Sequence, residues 1–400
     1  MYNPLFIYPN FTFTNPNSKQ FDRLLESIES QCRLTVLARK GPRISNVTSV
    51  EVLDVSDTRF RTLFQHGMLK FAGDWAYLPD ELRPLVNTRF YRAGRKWMKE
   101  RHFDSLVSLS FPLSDTLIAR KLKRDFGLPW IAIFYDPWTD NQFRRKMRSH
   151  FAVECDRRWE KRVALEADAI IHTNDVIAQR WSDRYGELVN GKIHVLPFCY
   201  TKGMMERAQS LQRPSLHEKI VISYIGRCVG KRNLRDILSA IGELKSDNYP
   251  GINHLELRAI GLAADSDIAL ANSLGLDDIV RFMGPFPEED LIRFYEESHC
   301  FLVVDAPDDE NIFFPSKLMD YYFWQRPILG ITPERGVTHD LLTLSGGTAI
   351  ANGNIRAIKE WLHNVLEKGV HSLTFNAEFY KRFDPEITAN QFVEILKKSL

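Results

Sequence analysis

Tyr224-Ile225-Gly226-Arg227-Cys228-Val229-Gly230-Lys231-Arg232-Asn233 is the stretch on which the reading of this chain turns. An apolar run begins at residue 220, and an amphipathic segment follows over 234–244. Strand, glycine turn and helix in that order open a βα unit. The two glycines permit a tight turn and close backbone approach. Arg227, Lys231 and Arg232 put up to three cations beside a helix start, which suits a diphosphate. The stretch is not a Walker A loop: its glycine spacing is one residue short, and Arg follows Lys231 where Ser or Thr is needed. Nor is it GxGxxG. The plainer alternative is a basic surface turn.

Outward from this turn the βα plan repeats. Further strands are expected over 255–260, 280–283, 301–304, 327–330 and 348–351, separated by helical patterns over 265–274, 288–298, 316–324 and 355–367. Toward the N-terminus, apolar runs at 5–9, 34–38, 50–55, 105–109, 130–135, 169–172 and 193–197 alternate with amphipathic segments such as 19–31, 89–101 and 157–166. Short apolar strands alternating with helices predict parallel, doubly wound sheets. The predicted class is α/β, with two tandem Rossmann-like domains facing each other across a cleft. Their bounds are 1–200 and 201–383, followed by a C-terminal helix over 384–400 that packs back on the first domain. Residues 199–217 lack a strand pattern and read as the linker. Ligands of such sheets sit at strand C-termini, near helix starts.

A second constellation is Asp308-Asp309-Glu310-Asn311-Ile312-Phe313-Phe314-Pro315-Ser316-Lys317-Leu318-Met319-Asp320-Tyr321-Tyr322. Pro315 suits the first helical position, with Ser316 and Lys317 in the first turn. There a hydroxyl, an ammonium and unpaired amides can meet a phosphate. Asp320 lies one turn on, on the same face, where a carboxylate can accept two ribose hydroxyls. The alternative is an ordinary helix start with a Ser316–Asp320 pair.

With these residues in view, the string from Phe314 to Gly330 (FPSKLMDYYFWQRPILG) resembles the donor-site helix of glycosyltransferase family 4 and related GT-B enzymes. The loop from Gly226 to Arg232 takes the place of that family's Gly-Arg…Lys phosphate loop. Arg281-Phe282-Met283-Gly284-Pro285, with Glu288, Glu289, Asp290 and Leu291, looks like the segment before its nucleotide-base contact. The resemblance implies donor binding by Gly226, Arg227, Lys231, Arg232, Gly284, Pro315, Ser316, Lys317, Leu318 and Asp320. The family's two glutamates are separated by seven intervening residues. Asp320 matches the second, but Ile312 occupies the place of the first, leaving Asp309 or Glu310 to reach the sugar. Glu310 is the candidate carried forward as catalytic.

The first half resembles the family more loosely. Ser108-Leu109-Ser110-Phe111-Pro112-Leu113-Ser114 looks like its Ser-rich loop, and Leu128 to Trp138 like a strand ending in a D-P-W turn. Asp136, at a strand C-terminus, orients an acceptor hydroxyl or takes its proton, or else it caps the turn before Pro137. Ser114, Asp136 and Trp138 are the candidate acceptor residues, with Trp138 either a platform or part of the core. The loop over 11–18 carries Asn15-Pro16-Asn17-Ser18 where many relatives have adjacent glycines.

Charge divides the chain. Residues 1–200 carry 31 Lys+Arg against 23 Asp+Glu, and residues 201–400 carry 22 against 28. A basic first half suits an anionic acceptor or membrane surface. Two tracts concentrate it: Arg89, Arg92, Arg95, Lys96 and Lys99 with aromatics between, and Arg144, Arg145, Lys146 and Arg148. No apolar run spans a bilayer, and the N-terminus reads as a strand and loop, not a signal peptide. Five scattered cysteines indicate neither zinc site nor disulfide framework, which points to the reducing cytoplasm. Asp265-Ser266-Asp267 has DxD lettering but reads as a helix cap, and no metal is expected. The expected partners are a nucleotide-sugar donor as co-substrate with no other cofactor, a glycan or lipid-linked acceptor, and the inner face of an anionic membrane. A nucleic-acid partner is not expected, since the basic tracts carry no recognition motif. The expected activity is metal-independent transfer from a nucleoside-diphosphate sugar in polysaccharide, glycolipid or glycan biosynthesis. The resemblance adds retention of configuration. The rivals are a sugar-nucleotide epimerase and a non-catalytic partner subunit on the same fold.

Overall fold

All of the expected strands form. In the computed structural model, which describes every residue except 14, 43–44, 46, 57–77, 81–85, 209–218, 229, 288–289 and 371–375, the described residues divide into two compact units. The first comprises Met1–Thr201 with Phe383–Leu400, and the second Lys202–Arg382. Val229, Glu288, Glu289 and residues 209–217 of the expected linker lie outside the described residues, while the linker's first part forms the helix Lys202–Ala208.

The first unit carries seven parallel strands: β1 (Pro4–Ile7), β2 (Thr35–Arg39), β3 (Glu51–Val55), β4 (Ser105–Ser110), β5 (Trp130–Phe134), β6 (Ala169–His172) and β7 (Ile193–Val195), in the order β3-β2-β1-β4-β5-β6-β7. The central strands are buried along their whole length, as SLVSLS and WIAIF predict for a sheet covered on both faces. Ser108 tolerates this burial because its hydroxyl accepts the Trp130 indole N–H at 2.9 Å. The C-terminal helix Pro385–Ser399 starts at an Asp384 cap and belongs to this unit, packing on the helix Pro16–Ile28 with Phe392 stacked on Phe6.

The second unit has six parallel strands: β8 (Ile220–Arg227), β9 (Leu255–Leu262), β10 (Val280–Gly284), β11 (Cys300–Val304), β12 (Ile328–Thr332) and β13 (Thr348–Ala351), ordered β10-β9-β8-β11-β12-β13. Its core is closed by the helices Arg235–Ser246 and Ile355–Lys368 through Ile237, Ile241, Leu244, Ile358, Leu362 and Val365. In each sheet the winding reverses once, between β1 and β4 and between β8 and β11. There the connections from adjacent strands leave in opposite directions and open a crevice at the strand C-termini. A residue that serves a ligand in either unit has to reach one of those two points.

Candidate functional site

In the second unit, the reversal point brings the two constellations together. β8 ends in Gly226 and Arg227, and β11 runs through Val304 into Asp305. The helix Lys317–Phe323 is fixed against both strands by one aromatic residue. Tyr321 stacks on Phe301 of β11 at 4.4 Å, and its hydroxyl accepts the Ile225 amide at 2.9 Å and donates to the Leu302 carbonyl at 3.2 Å. This anchoring places Lys317 directly over the end of β8. Its ammonium lies 4.3 Å from the Tyr224 ring centroid, and a Cβ added at Gly226 would collide with it. Glycine is required at 226 for that close approach. On the neighbouring strand β9, Gly261 at φ 118° is constrained in the same way, since a Cβ there would strike the Gly226 carbonyl.

Lys317 is the unusual group. Its Nζ is buried and has no hydrogen-bond partner, although the side chain as a whole is only half-buried. Burial pushes its pKa down to about 7, and the neighbouring Arg232 guanidinium pushes the same way against the weaker pull of Asp305, Cys228 and Asp320. Arg232 lies 3.8 Å from Asp305, and its own Nε is buried without an acceptor. Asp305 accepts at Oδ2 from Asn311 at 2.6 Å and Thr332 at 2.9 Å, and its Oδ1 is the atom that faces Arg232. Two cationic groups therefore converge, and the Lys317 ammonium and the Arg232 Nε–H are left without acceptors. Buried charge without a partner is costly, and an anion entering from solvent would offset that cost.

The other expected donor residues fall into different places. Lys231 is exposed and held by Asp308 at 2.9 Å, and Arg227 is exposed at the strand end. Gly284 ends β10, two strands from Gly226 and so about 10 Å along the same edge. Asp320 sits in the first turn of its helix, close enough to act on Lys317. Glu310 is half-buried in the loop before that helix. Three expectations are corrected. The helix begins at Lys317, so Pro315 precedes it instead of opening it, and Ser316 occupies the cap position without bonding through its hydroxyl. Leu318 is fully buried and gives its amide to the Pro315 carbonyl at 2.9 Å, leaving neither for a ligand. With seven residues the helix also adds little dipole, so the side chains carry the site. Ile312, at the place of the family's first glutamate, is 1% exposed.

Asp305 and Gly261 are site residues that the sequence reading misses. The signal for Asp305 is present: it is the first polar residue after the apolar run of β11. The Asp265-Ser266-Asp267 segment opens the helix Asp265–Ser273, and Asp267 is buried, accepting the Leu234 amide at 3.0 Å. It thereby ties down the start of the helix that follows the glycine turn.

In the first unit, the reversal point gathers Tyr8 after β1, Ser110 at the end of β4 and Asp136 just past β5. Burial raises the Asp136 carboxyl above the usual carboxylate range, and the Asn17 amide, which donates to it at 3.2 Å, pulls it back. Asn17 sits in the first turn of the helix Pro16–Ile28, capped by Asn15, whose side chain accepts the Ser18 amide at 2.9 Å. The loop without adjacent glycines thus contributes a hydrogen-bond donor to Asp136. Asp115 lies deeper, and burial raises its carboxyl well above the normal range while Ser110 donates to it at 3.0 Å.

Two acceptor candidates are corrected. Ser114 is fully buried and donates both its amide, at 2.7 Å, and its hydroxyl, at 2.6 Å, to Asp80. Trp138 is 1% exposed and packs in the core beside Phe134. Neither side chain is open to a ligand.

No protein-family model and no curated protein matches this sequence. Solved structures match it over its full length. Sucrose-phosphate synthase from Thermosynechococcus elongatus superposes with a TM-score of 0.68 at 14% identity, covering 100% of this chain and 99% of its own. HepE from Anabaena, in complex with UDP, gives 0.66 at 11% identity, covering 99% and 100%. The lipopolysaccharide outer core galactosyltransferase WaaB gives 0.65 at 14% identity, covering 100% of both chains. The chain is therefore similar in fold, from end to end, to GT-B glycosyltransferases. HepE has also been solved with UDP-glucose.

Proposed function

We propose that this protein is a glycosyltransferase that moves a sugar from a nucleoside-diphosphate sugar to an acceptor hydroxyl. One observation carries the reading: the buried ammonium of Lys317, beside Arg232 at the end of β8, has no hydrogen-bond acceptor of its own. The diphosphate supplies that acceptor. As the bond to the sugar breaks, negative charge grows on the leaving diphosphate, and Lys317 and Arg232 stabilise it in place of a divalent ion. Lys231 joins them once it leaves Asp308. Asp320 holds the ribose, and Glu310 takes the sugar-contacting role for which Ile312 has no carboxylate. Asp136 serves the acceptor hydroxyl. Resemblance to family 4 supports retention of configuration and a glycan or lipid-linked acceptor in polysaccharide or glycolipid synthesis on the cytoplasmic side of a membrane. Among the described residues no helix is long and apolar enough to cross one.

Because HepE binds UDP, uridine nucleotides are the first ligands to try. Calorimetric titration with UDP, GDP, ADP and CMP and their sugars is expected to give binding by one base class. Lys317→Ala should cost on the order of 10²–10³ in transfer rate. Wild-type-like turnover in that variant would refute the assignment. The buried Ile312 favours one rival, a partner subunit that binds donor without turning it over, and absence of both donor hydrolysis and transfer in a binding-competent protein would select it.

A further inference from the structure

The first unit turns a knuckle outward between Gln142 and Phe151. The short helix Gln142–Lys146 ends there and the long helix His150–Glu166 begins. Phe143, Met147 and Phe151, each four residues from the next, are 43%, 83% and 47% exposed. Single exposed apolar side chains are ordinary, but three large ones on one short turn form a surface feature.

The structure fixes which side of the knuckle faces solvent. Arg144 turns inward and donates to Asp156 at 2.9 and 3.0 Å, while Arg148 lies 3.6 Å from the same carboxylate. Both guanidinium groups also donate to the Pro79 carbonyl. Asp156 is buried, so this clamp is internal and leaves Arg145 and Lys146 exposed beside the apolar side chains. No acidic residue occurs between Asp140 and Glu154. Along the long helix, Arg158 and Arg162 follow Phe151 at spacings that share its face, and both are exposed. Of the acids flanking that face, Glu154 is met by Arg157 at 3.8 Å and Arg158 at 3.4 Å, and Glu166 at the far end of the helix is paired with Arg120 and Arg124.

The other basic tract is built differently. On the helix Tyr91–Glu100, Tyr91 and Trp97 pack against the core, and Arg101 covers the Trp97 ring at 4.4 Å. That helix offers charge without an apolar tip. Of the two tracts only the knuckle combines them, and the combination matches an anionic lipid interface, where apolar side chains enter the headgroup–acyl boundary and cations meet phosphates.

We propose that the knuckle of Phe143, Met147 and Phe151, with Arg145 and Lys146, docks this protein on an anionic phospholipid bilayer. The proposal stands apart from the donor reading and is tested without nucleotide. The full-length protein is co-sedimented with phosphatidylcholine vesicles with and without phosphatidylglycerol, at low and high salt. The wild type is expected to pellet with the anionic vesicles alone, less so at high salt. Phe143→Ser/Met147→Ser/Phe151→Ser should lower the partition at least about tenfold. Arg145→Glu/Lys146→Glu should remove the preference for anionic lipid. Unchanged circular dichroism and melting midpoint would show both variants folded. The proposal is overturned if the wild type stays in the supernatant with anionic vesicles at low salt, or if the folded triple variant pellets as the wild type does. It is also overturned if light scattering finds a dimer that the triple variant dissolves while vesicles bind neither form.

Discussion

Donor affinity should follow the protonation of Lys317. Burial and Arg232 hold its pKa near 7, so the ammonium is present below that pH and is lost above it. The diphosphate of a nucleotide sugar keeps its charge from pH 6 to 9, and burial raises the nearby Cys228 thiol above its ordinary value, so that it stays neutral. The lysine is then the group that titrates within the anion site. When only the charged form binds, apparent affinity scales with the protonated fraction: about 0.9 at pH 6, about 0.5 at pH 7 and about 0.1 at pH 8. The dissociation constant should rise about twofold from pH 6 to 7 and about tenfold from pH 6 to 8. Binding at pH 8 should draw in nearly one proton, because the diphosphate restores the lysine to its charged state. Calorimetry in two buffers of different ionisation enthalpy reads both quantities. Lys317→Met keeps an apolar chain over Tyr224 and should abolish the slope and the proton uptake. A wild-type affinity that is flat from pH 6 to 8, with no proton uptake, would refute the reasoning.

The remaining predictions concern the supports of the two reversal points. Gly226→Ala puts a Cβ where the Lys317 ammonium sits; the flexible end of that side chain must yield, so donor affinity should fall on the order of tenfold to a hundredfold while the melting midpoint barely moves. Asp308→Asn removes the ion pair between that carboxylate and Lys231; the lysine is 54% exposed, so the gain in donor affinity should be about twofold to threefold, and no change would remove this ion pair from the control of donor binding. Glu160→Ala tests the scaffold: its buried carboxylate accepts from Thr139 at 2.8 and 2.9 Å, Arg184 at 2.6 Å and Tyr185 at 2.7 Å. Chemical denaturation should show a loss of about 3 kcal/mol with donor affinity unchanged.

The strands are legible because a sheet covered on both faces needs unbroken apolar runs, and short β-branched and aromatic runs such as CFLVV and WIAIF supply them. The helix Val337–Ser345 is not, since VTHDLLTLS is rich in Thr, Ser and β-branched residues that favour caps and turns, and only its packing on β12 and β13 makes it helical. The site divides along the same line. Gly226, Arg232 and Lys317 can be found because each belongs to a local pattern: glycine after a strand, or cation at a helix start. What Ser114 and Lys231 do is decided by Asp80 and Asp308, 34 and 77 residues away, and no local pattern carries that information. Ile312 shows why a missing motif residue need not leave a gap. In a family 4 enzyme that position turns a carboxylate toward the sugar; here the chain is pinned one residue earlier, where Asn311 pairs with Gly336 and donates to Asp305 and Thr338. Held at that point, the following side chain is carried into the interior, and an apolar residue is what the interior accepts. If this chain binds a donor sugar as proposed, the carboxylate for it comes from the loop on the other side of Asn311, where Glu310 is half-buried.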